Sequence, residues 1–212
     1  SFDVPNKKVS INNNEKEPSL VVFVNNSNKG LIILKLIGPK QKVILQEKTK
    51  FLSMWTWKKT GEFIYPGLFH YYTNKNSEEI DFQIKKDLFD NIKLVGEDND
   101  NLKRDLIEKK MSIDLFLIEN DSFKVINDKL PSFFKIPINL PKNSPSGKYS
   151  VSLSIMNSIN NFQSPEQNVI VEKLGLSSFV FKIAHKYSFI YGILSAIIAI
   201  GLGFFAGIVF KK

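Results

Sequence analysis

The stretch Lys148-Tyr149-Ser150-Val151-Ser152-Leu153-Ser154-Ile155 alternates large apolar side chains with lysine and serine. Successive side chains of a strand point to opposite faces, so a period of two predicts a strand with one face buried and one wet. The run is approached through Leu140-Pro141-Lys142-Asn143-Ser144-Pro145-Ser146-Gly147, which is rich in turn-forming residues. Phe133 to Ile138, before that turn, alternates imperfectly and predicts another strand. Asn157 to Asn161 then predicts a turn, and Gln167 to Val171 a closing strand. A Pro-rich turn, Gly, Tyr and then alternation is how many immunoglobulin-like sandwiches enter a late strand, and that analogy sets the expected fold.

The N-terminal half reads the same way. Lys8 to Ile11, Leu20 to Val24, Leu31 to Ile37, Val43 to Leu45 and Phe51 to Trp57 are short apolar runs, with Asn25 to Gly30 as a turn and Gly38-Pro39 as a stop. Short strands at close spacing predict an antiparallel β-sandwich. Between the halves, Asn76 to Lys129 is charged and in places helical. Leu102, Leu106 and Ile107 share one face while Arg104, Glu108 and Lys109 face solvent, which predicts a helix from about Asp100 to Leu117. Gly96 to Asp100 lacks the ligand alternation of a calcium loop and reads as a solvated loop supplying an N-cap. The expected fold is therefore mainly β: an immunoglobulin-like antiparallel sandwich over 1–173, with a helical insertion around 77–118.

The C-terminal end changes character. Ser188 to Lys212 reads SFIYGILSAIIAIGLGFFAGIVFKK, with no charged residue from Ser188 to Phe210. A run of about 18 uncharged apolar residues suffices to predict a membrane-spanning helix. We expect a transmembrane helix over 188–210, a juxtamembrane amphipathic segment over 174–187 and a basic cytoplasmic end at 211–212. Gly192, Ala196, Ala199, Gly203 and Gly207 recur every three or four residues, which puts small side chains on one helix face and predicts close packing against another membrane helix. The partners expected are the bilayer and a second membrane protein, either a permease subunit or another copy of this chain.

Composition excludes several classes. The 212 residues contain no cysteine, which removes disulfides, thiolate metal sites and cysteine nucleophiles. The net charge of +8 is carried by scattered lysines, Arg104 being the sole arginine, and so does not predict a nucleic-acid site. Some attraction to anionic headgroups is expected instead. The two histidines, His70 and His185, have no triad or metal-ligand spacing, and no phosphate-binding glycine loop precedes a helix. We therefore expect no catalytic residues, no metal and no cofactor. Phe51 to Tyr72 is dense in aromatics. Trp55 is expected in the core and Trp57 is left open. Trp57, Tyr65, His70 and Tyr72 form the candidate partner or ligand surface.

The chain resembles the alphaproteobacterial transmembrane protein family called Alph_Pro_TM. The similarity is carried by Leu36-Ile37-Gly38-Pro39 through Lys48 to Trp55, by Tyr65-Pro66 to Tyr71, and by Leu140-Pro141 with Gly147-Lys148-Tyr149. It continues through Val171 to Lys173, Gly175, Ala184 and Tyr191-Gly192, and ends at Phe210-Lys211-Lys212. Trp57 departs from it, where a small polar residue is expected. The resemblance implies an exported domain with a cleaved signal peptide, periplasmic, on one inner-membrane helix, and an association with sulfite-exporter-type permeases. It implies no catalytic residues.

The functional expectation is a non-enzymatic accessory or interaction subunit of an inner-membrane complex. Its rivals are a periplasmic solute- or glycan-binding module using the Phe51–Tyr72 aromatics, and a membrane-anchored enzyme. A tail-anchored protein facing the cytoplasm is the rival topology.

Overall fold

The alternating stretch is a strand, with Tyr149, Val151, Leu153 and Ile155 buried. In this computed structural model residues 1–11, 18–26, 30–96, 99–156, 161–173 and 188–209 are described. In chain order the elements are β1 (Phe2–Asp3), β2 (Lys8–Ile11), β3 (Leu20–Asn25), β4 (Leu31–Ile37), β5 (Lys40–Phe51), β6 (Met54–Pro66) and β7 (Phe69–Thr73). There follow α1 (Glu78–Asp90), β8 (Lys93–Gly96), α2 (Asp100–Met111), β9 (Phe116–Glu119), β10 (Lys124–Val125), β11 (Phe133–Ile138), β12 (Gly147–Met156), β13 (Asn161–Gln163) and β14 (Gln167–Lys173). The last is α3 (Ser188–Val209). Two compact units result, Ser1–Glu172 and Lys173–Lys212.

The first unit is built on two sheets that share one core. The larger runs β2-β14-β12-β4-β7-β9, with β13 also on β12; the smaller runs β1-β3-β11-β10. Register explains which side chains meet. Val151 pairs with Leu36, Leu153 with Leu34 and Ile155 with Ile32, so one face of β12 and β4 is continuous and apolar. In the smaller sheet Ile136 pairs with Val22 and Ile138 with Leu20, and these join the same buried cluster. Burial of such side chains, at roughly 25 cal/mol per Å² of apolar surface, is the main term favouring the fold.

The opposite face of β4 and β7 is covered by α1. Lys35 and Tyr71 are register partners on that face, and both reach Asp87 of α1. Ile84 and Leu88 of the same helix are buried. All five residues of β7 are therefore buried: His70 and Tyr72 toward one side, Phe69, Tyr71 and Thr73 toward the other.

Several expectations are corrected. The chain is mainly β with packed sheets, but the sheet is not wholly antiparallel, because β9 pairs with β7 in parallel. Parallel neighbours need a long crossover, and the α1-β8-α2 excursion supplies it. An immunoglobulin-like topology is not established. The helix expected to reach Leu117 ends at Met111, where Ser112 caps it, and Asp114 at φ 57 turns the chain into β9. Asn99 supplies the N-cap, its side chain accepting from the Asn101 amide at 3.0 Å. Val43 to Leu45 and Phe51 to Trp57 are not separate sandwich strands but parts of a long β5–β6 hairpin in a three-stranded sheet with β8.

In the second unit α3 is helical over 22 residues. Among the described residues, however, no helix is long and apolar enough to cross a membrane. The expected amphipathic segment 174–187 and the basic end 211–212 lie outside the described residues.

Candidate functional site

The β5–β6 hairpin is where the chain departs most from the demands of a core. Its strands pair from Lys40–Pro66 to Phe51–Met54, with a register shift at Leu45/Gln46. β8 supports β6 only across Gly61 to Ile64. Beyond Gly61 the hairpin is a two-stranded ribbon, a form of marginal stability on its own. The turn is Leu52-Ser53, at φ 44 and 66. Positive φ at both central residues gives the twist that suits a two-residue hairpin, but the usual occupants are Asn and Gly. A bulky residue there is strained by about 1 kcal/mol or more.

Trp55 and Trp57 lie on this ribbon, 65% and 62% exposed. The expectation that Trp55 is core is overturned, because no second sheet covers either face of the ribbon here. Lys48 Nζ stands 5.0 Å from the Trp55 ring centre, a cation–π contact. Lys48 pairs with Trp57 and Lys50 with Trp55 across the strands, so lysines and tryptophans share one face. At the base of the ribbon Glu62 accepts from Lys59 at 3.0 Å and pairs with Lys42 at 3.3 Å. These two ammonium groups, Lys59 first, hold its carboxyl below the usual carboxylate range.

The other members of the expected surface do not join Trp57. Tyr65, His70 and Tyr72 are buried, and so present no face to a ligand. Their strands enter the core, whereas Trp57 lies where the ribbon has left it. His70 Nε2 donates to the Asp114 carbonyl at 2.7 Å, which fixes the tautomer and leaves Nδ1 to accept from the Tyr72 hydroxyl. Burial pushes the imidazole down to about 4, against a smaller upward pull from Asp114. Burial likewise raises the Tyr72 hydroxyl. Both ring nitrogens of His70 are engaged, Nε2 holding β7 to the turn before β9 and Nδ1 bonding within β7.

On α3 the five small residues fall within one arc, since each residue advances about 100°. Ala196 and Ala199 are exposed, and a Cβ at Gly192, Gly203 or Gly207 would meet nothing within 4 Å. Large apolar side chains cover the remaining arc and are also exposed, among them Ile197, Ile198, Leu202 and Phe205. Among the described residues no group of His, Cys, Asp and Glu could hold a metal ion.

The sequence did not reveal the hairpin tip as an element. Phe51, Leu52 and Met54 were read as part of an apolar strand, and Leu52-Ser53 carries none of the usual turn chemistry. The available signal was the two-residue gap between two β-rich runs, each carrying lysines.

The chain is a mainly-β unit followed by an apolar helix. The family described as "Putative transmembrane protein (Alph_Pro_TM)" matches residues 1–212, and the chain belongs to that alphaproteobacterial family. No curated protein and no solved structure matches the chain.

Proposed function

We propose that this protein is a non-enzymatic accessory subunit of an inner-membrane complex. In this reading residues 188–210 form its single transmembrane helix, and the β-rich domain stands in the periplasm. The observation that carries the reading is α3 itself: a 22-residue helix with large apolar side chains exposed around its circumference. A helix apolar on all sides is unstable in water and suits lipid. Ser188, Ile190, Tyr191, Leu194, Ile208 and Val209, whose side chains are not described, are uncharged and complete the length.

The small-residue arc at Gly192, Ala196, Ala199, Gly203 and Gly207 is the face proposed to pack on a polytopic partner, of which a permease of the sulfite-exporter type is the first candidate. The engagement of both His70 nitrogens supports a non-enzymatic role. The glycan-binding alternative is weakened by the burial of Tyr65, His70 and Tyr72, which leaves Trp57 without the tyrosines it needs for a stacking platform.

The test has two parts. Protease added to spheroplasts is expected to digest the β-rich domain; its survival beside an active-protease control overturns the periplasmic placement. Co-purification from native membranes in mild detergent is expected to recover a polytopic protein with the wild type and to lose it with Gly203→Leu/Gly207→Leu. Equal recovery with both removes the packing face.

A further inference from the structure

The exposed tip of the β5–β6 hairpin is ordered by polarity along its length. Outermost are Phe51, Leu52 and Met54, between 65% and 78% exposed. Next come Trp55 and Trp57. Behind and beside them stand Lys48, Lys50, Lys58 and Lys59. Over residues 40–66 six lysines face two glutamates, and one of those, Glu62, is already paired with Lys42 and Lys59.

This is the depth profile of a bilayer surface: apolar side chains deepest, amphipathic indoles at the headgroup level, and long cations whose stems extend along apolar surface while their ammonium groups meet lipid phosphates. Leu52 sharpens the point. It occupies a left-handed turn position that Asn or Gly would fill without strain, and there it is fully presented to the surroundings. Nothing in the core requires a leucine at that place. The unsupported ribbon also lacks a covering layer, and insertion into an interface would provide one.

We propose that the β5–β6 tip is a second membrane contact, dipping Phe51, Leu52, Met54 and the two tryptophans into the headgroup region of an anionic lipid surface. Charge complementarity selects anionic lipid over a zwitterionic surface. The inference uses the membrane reading above only in that a bilayer is present; it does not depend on how α3 is arranged.

Trp55 and Trp57 are the protein's only tryptophans, so tryptophan emission reports this hairpin alone. The full chain is placed in nanodiscs containing phosphatidylglycerol and brominated-chain phosphatidylcholine. The expected result is emission shifted to shorter wavelength and quenched by bromine, with both effects reduced in discs of phosphatidylcholine alone. Leu52→Asp/Met54→Asp is expected to remove the quenching while the protein still elutes with discs. Lys48→Gln/Lys50→Gln/Lys58→Gln/Lys59→Gln is expected to remove the dependence on anionic lipid.

Water-like emission without quenching in anionic discs overturns the proposal. So does a shift to shorter wavelength without bromine quenching, which assigns the tip to a protein partner or a second copy. Equal quenching in the two lipids overturns the anionic selectivity. Failure of the anchor reads out separately, as protein eluting apart from discs; sedimentation of that protein with preformed brominated phosphatidylglycerol vesicles then decides the hairpin.

Discussion

Tyr72 places its hydroxyl 2.9 Å from Nδ1 of His70, two residues away on the same face of β7, while Nε2 meets a main-chain carbonyl and burial keeps the imidazole neutral. A histidine held at about 4 when folded, against 6.5 in an open chain, binds its proton less readily in the native state. The unfolded chain takes up the proton first as pH falls, so stability is full above about 6.5 and declines between 6.5 and 4. The decline from this one group is about 3 kcal/mol at most. Denaturant unfolding from pH 7.5 to 4 in wild type and His70→Met checks it. The variant is expected to be less stable at neutral pH but to have a flatter slope over this window; an unchanged slope would remove His70 as the cause.

The contact of α1 with the sheet depends on Asp87. Its Oδ2 lies 2.5 Å from Lys35 Nζ and also accepts from the Tyr71 hydroxyl, while Oδ1 accepts from Asn91 at 3.0 Å. Asp87→Ala strands a half-buried ammonium and a buried hydroxyl. A loss of about 2 kcal/mol is expected, with α1 amides exchanging faster than those of β12. Asp87→Asn, which keeps an acceptor, is expected to lose less. Equal unfolding midpoints for wild type and Asp87→Ala would contradict this account.

Gly67 sits where the chain turns from the hairpin into β7. Its amide donates to the Pro39 carbonyl at 2.8 Å, and a Cβ would stand 2.5 Å from Pro145 Cγ and 2.9 Å from the Pro39 carbonyl oxygen. Gly67→Ala is expected to cost about 1–3 kcal/mol through forced displacement of backbone. Gly192→Ala, which meets open space, serves as the control and is expected to leave the unfolding midpoint of the β-rich unit unchanged.

The anchor reading makes a prediction of its own. Ile198 lies near the middle of α3 and is exposed. A lysine at the centre of a spanning helix costs about 2.5–3.5 kcal/mol on insertion scales. Ile198→Lys is expected to move the protein from the carbonate-resistant membrane fraction into the supernatant, whereas Ile198→Leu stays with the membrane. Carbonate-soluble wild type would refute the anchor outright.

How much of this was legible in the sequence depended on whether the local pattern and the tertiary environment agreed. β12, β3 and β4 were readable because apolar side chains at a period of two, or in unbroken runs, meet a core in the structure. α2 was readable from Leu106 and its neighbours, but its end was not, because Ser112 and Asp114 stop it by backbone geometry rather than by a Gly or Pro. α1 was read only as part of a charged, partly helical region. Its buried side is narrow, Ile84 and Leu88, and its decisive contacts are polar ones to Lys35 and Tyr71 from far along the chain. The aromatic stretch misled for a related reason. Tyr65 and Trp57 lie on the same strand with similar local sequence, yet Tyr65 is inside the fold and Trp57 beyond its edge. Strand composition does not record where a sheet stops.

The strand order carries a consequence for biogenesis. β3 finds its long partner in β11, β4 in β12 and β2 in β14, so the first third of the domain is completed by the last third. A chain emerging from a ribosome or a translocon can form the β5–β6 hairpin and the β4–β7 and β1–β3 pairs early, yet one edge of β3 and one edge of β4 wait for residues beyond 133. Those two edges stay open throughout that interval, so the two sheets close only when the last third of the domain has been made.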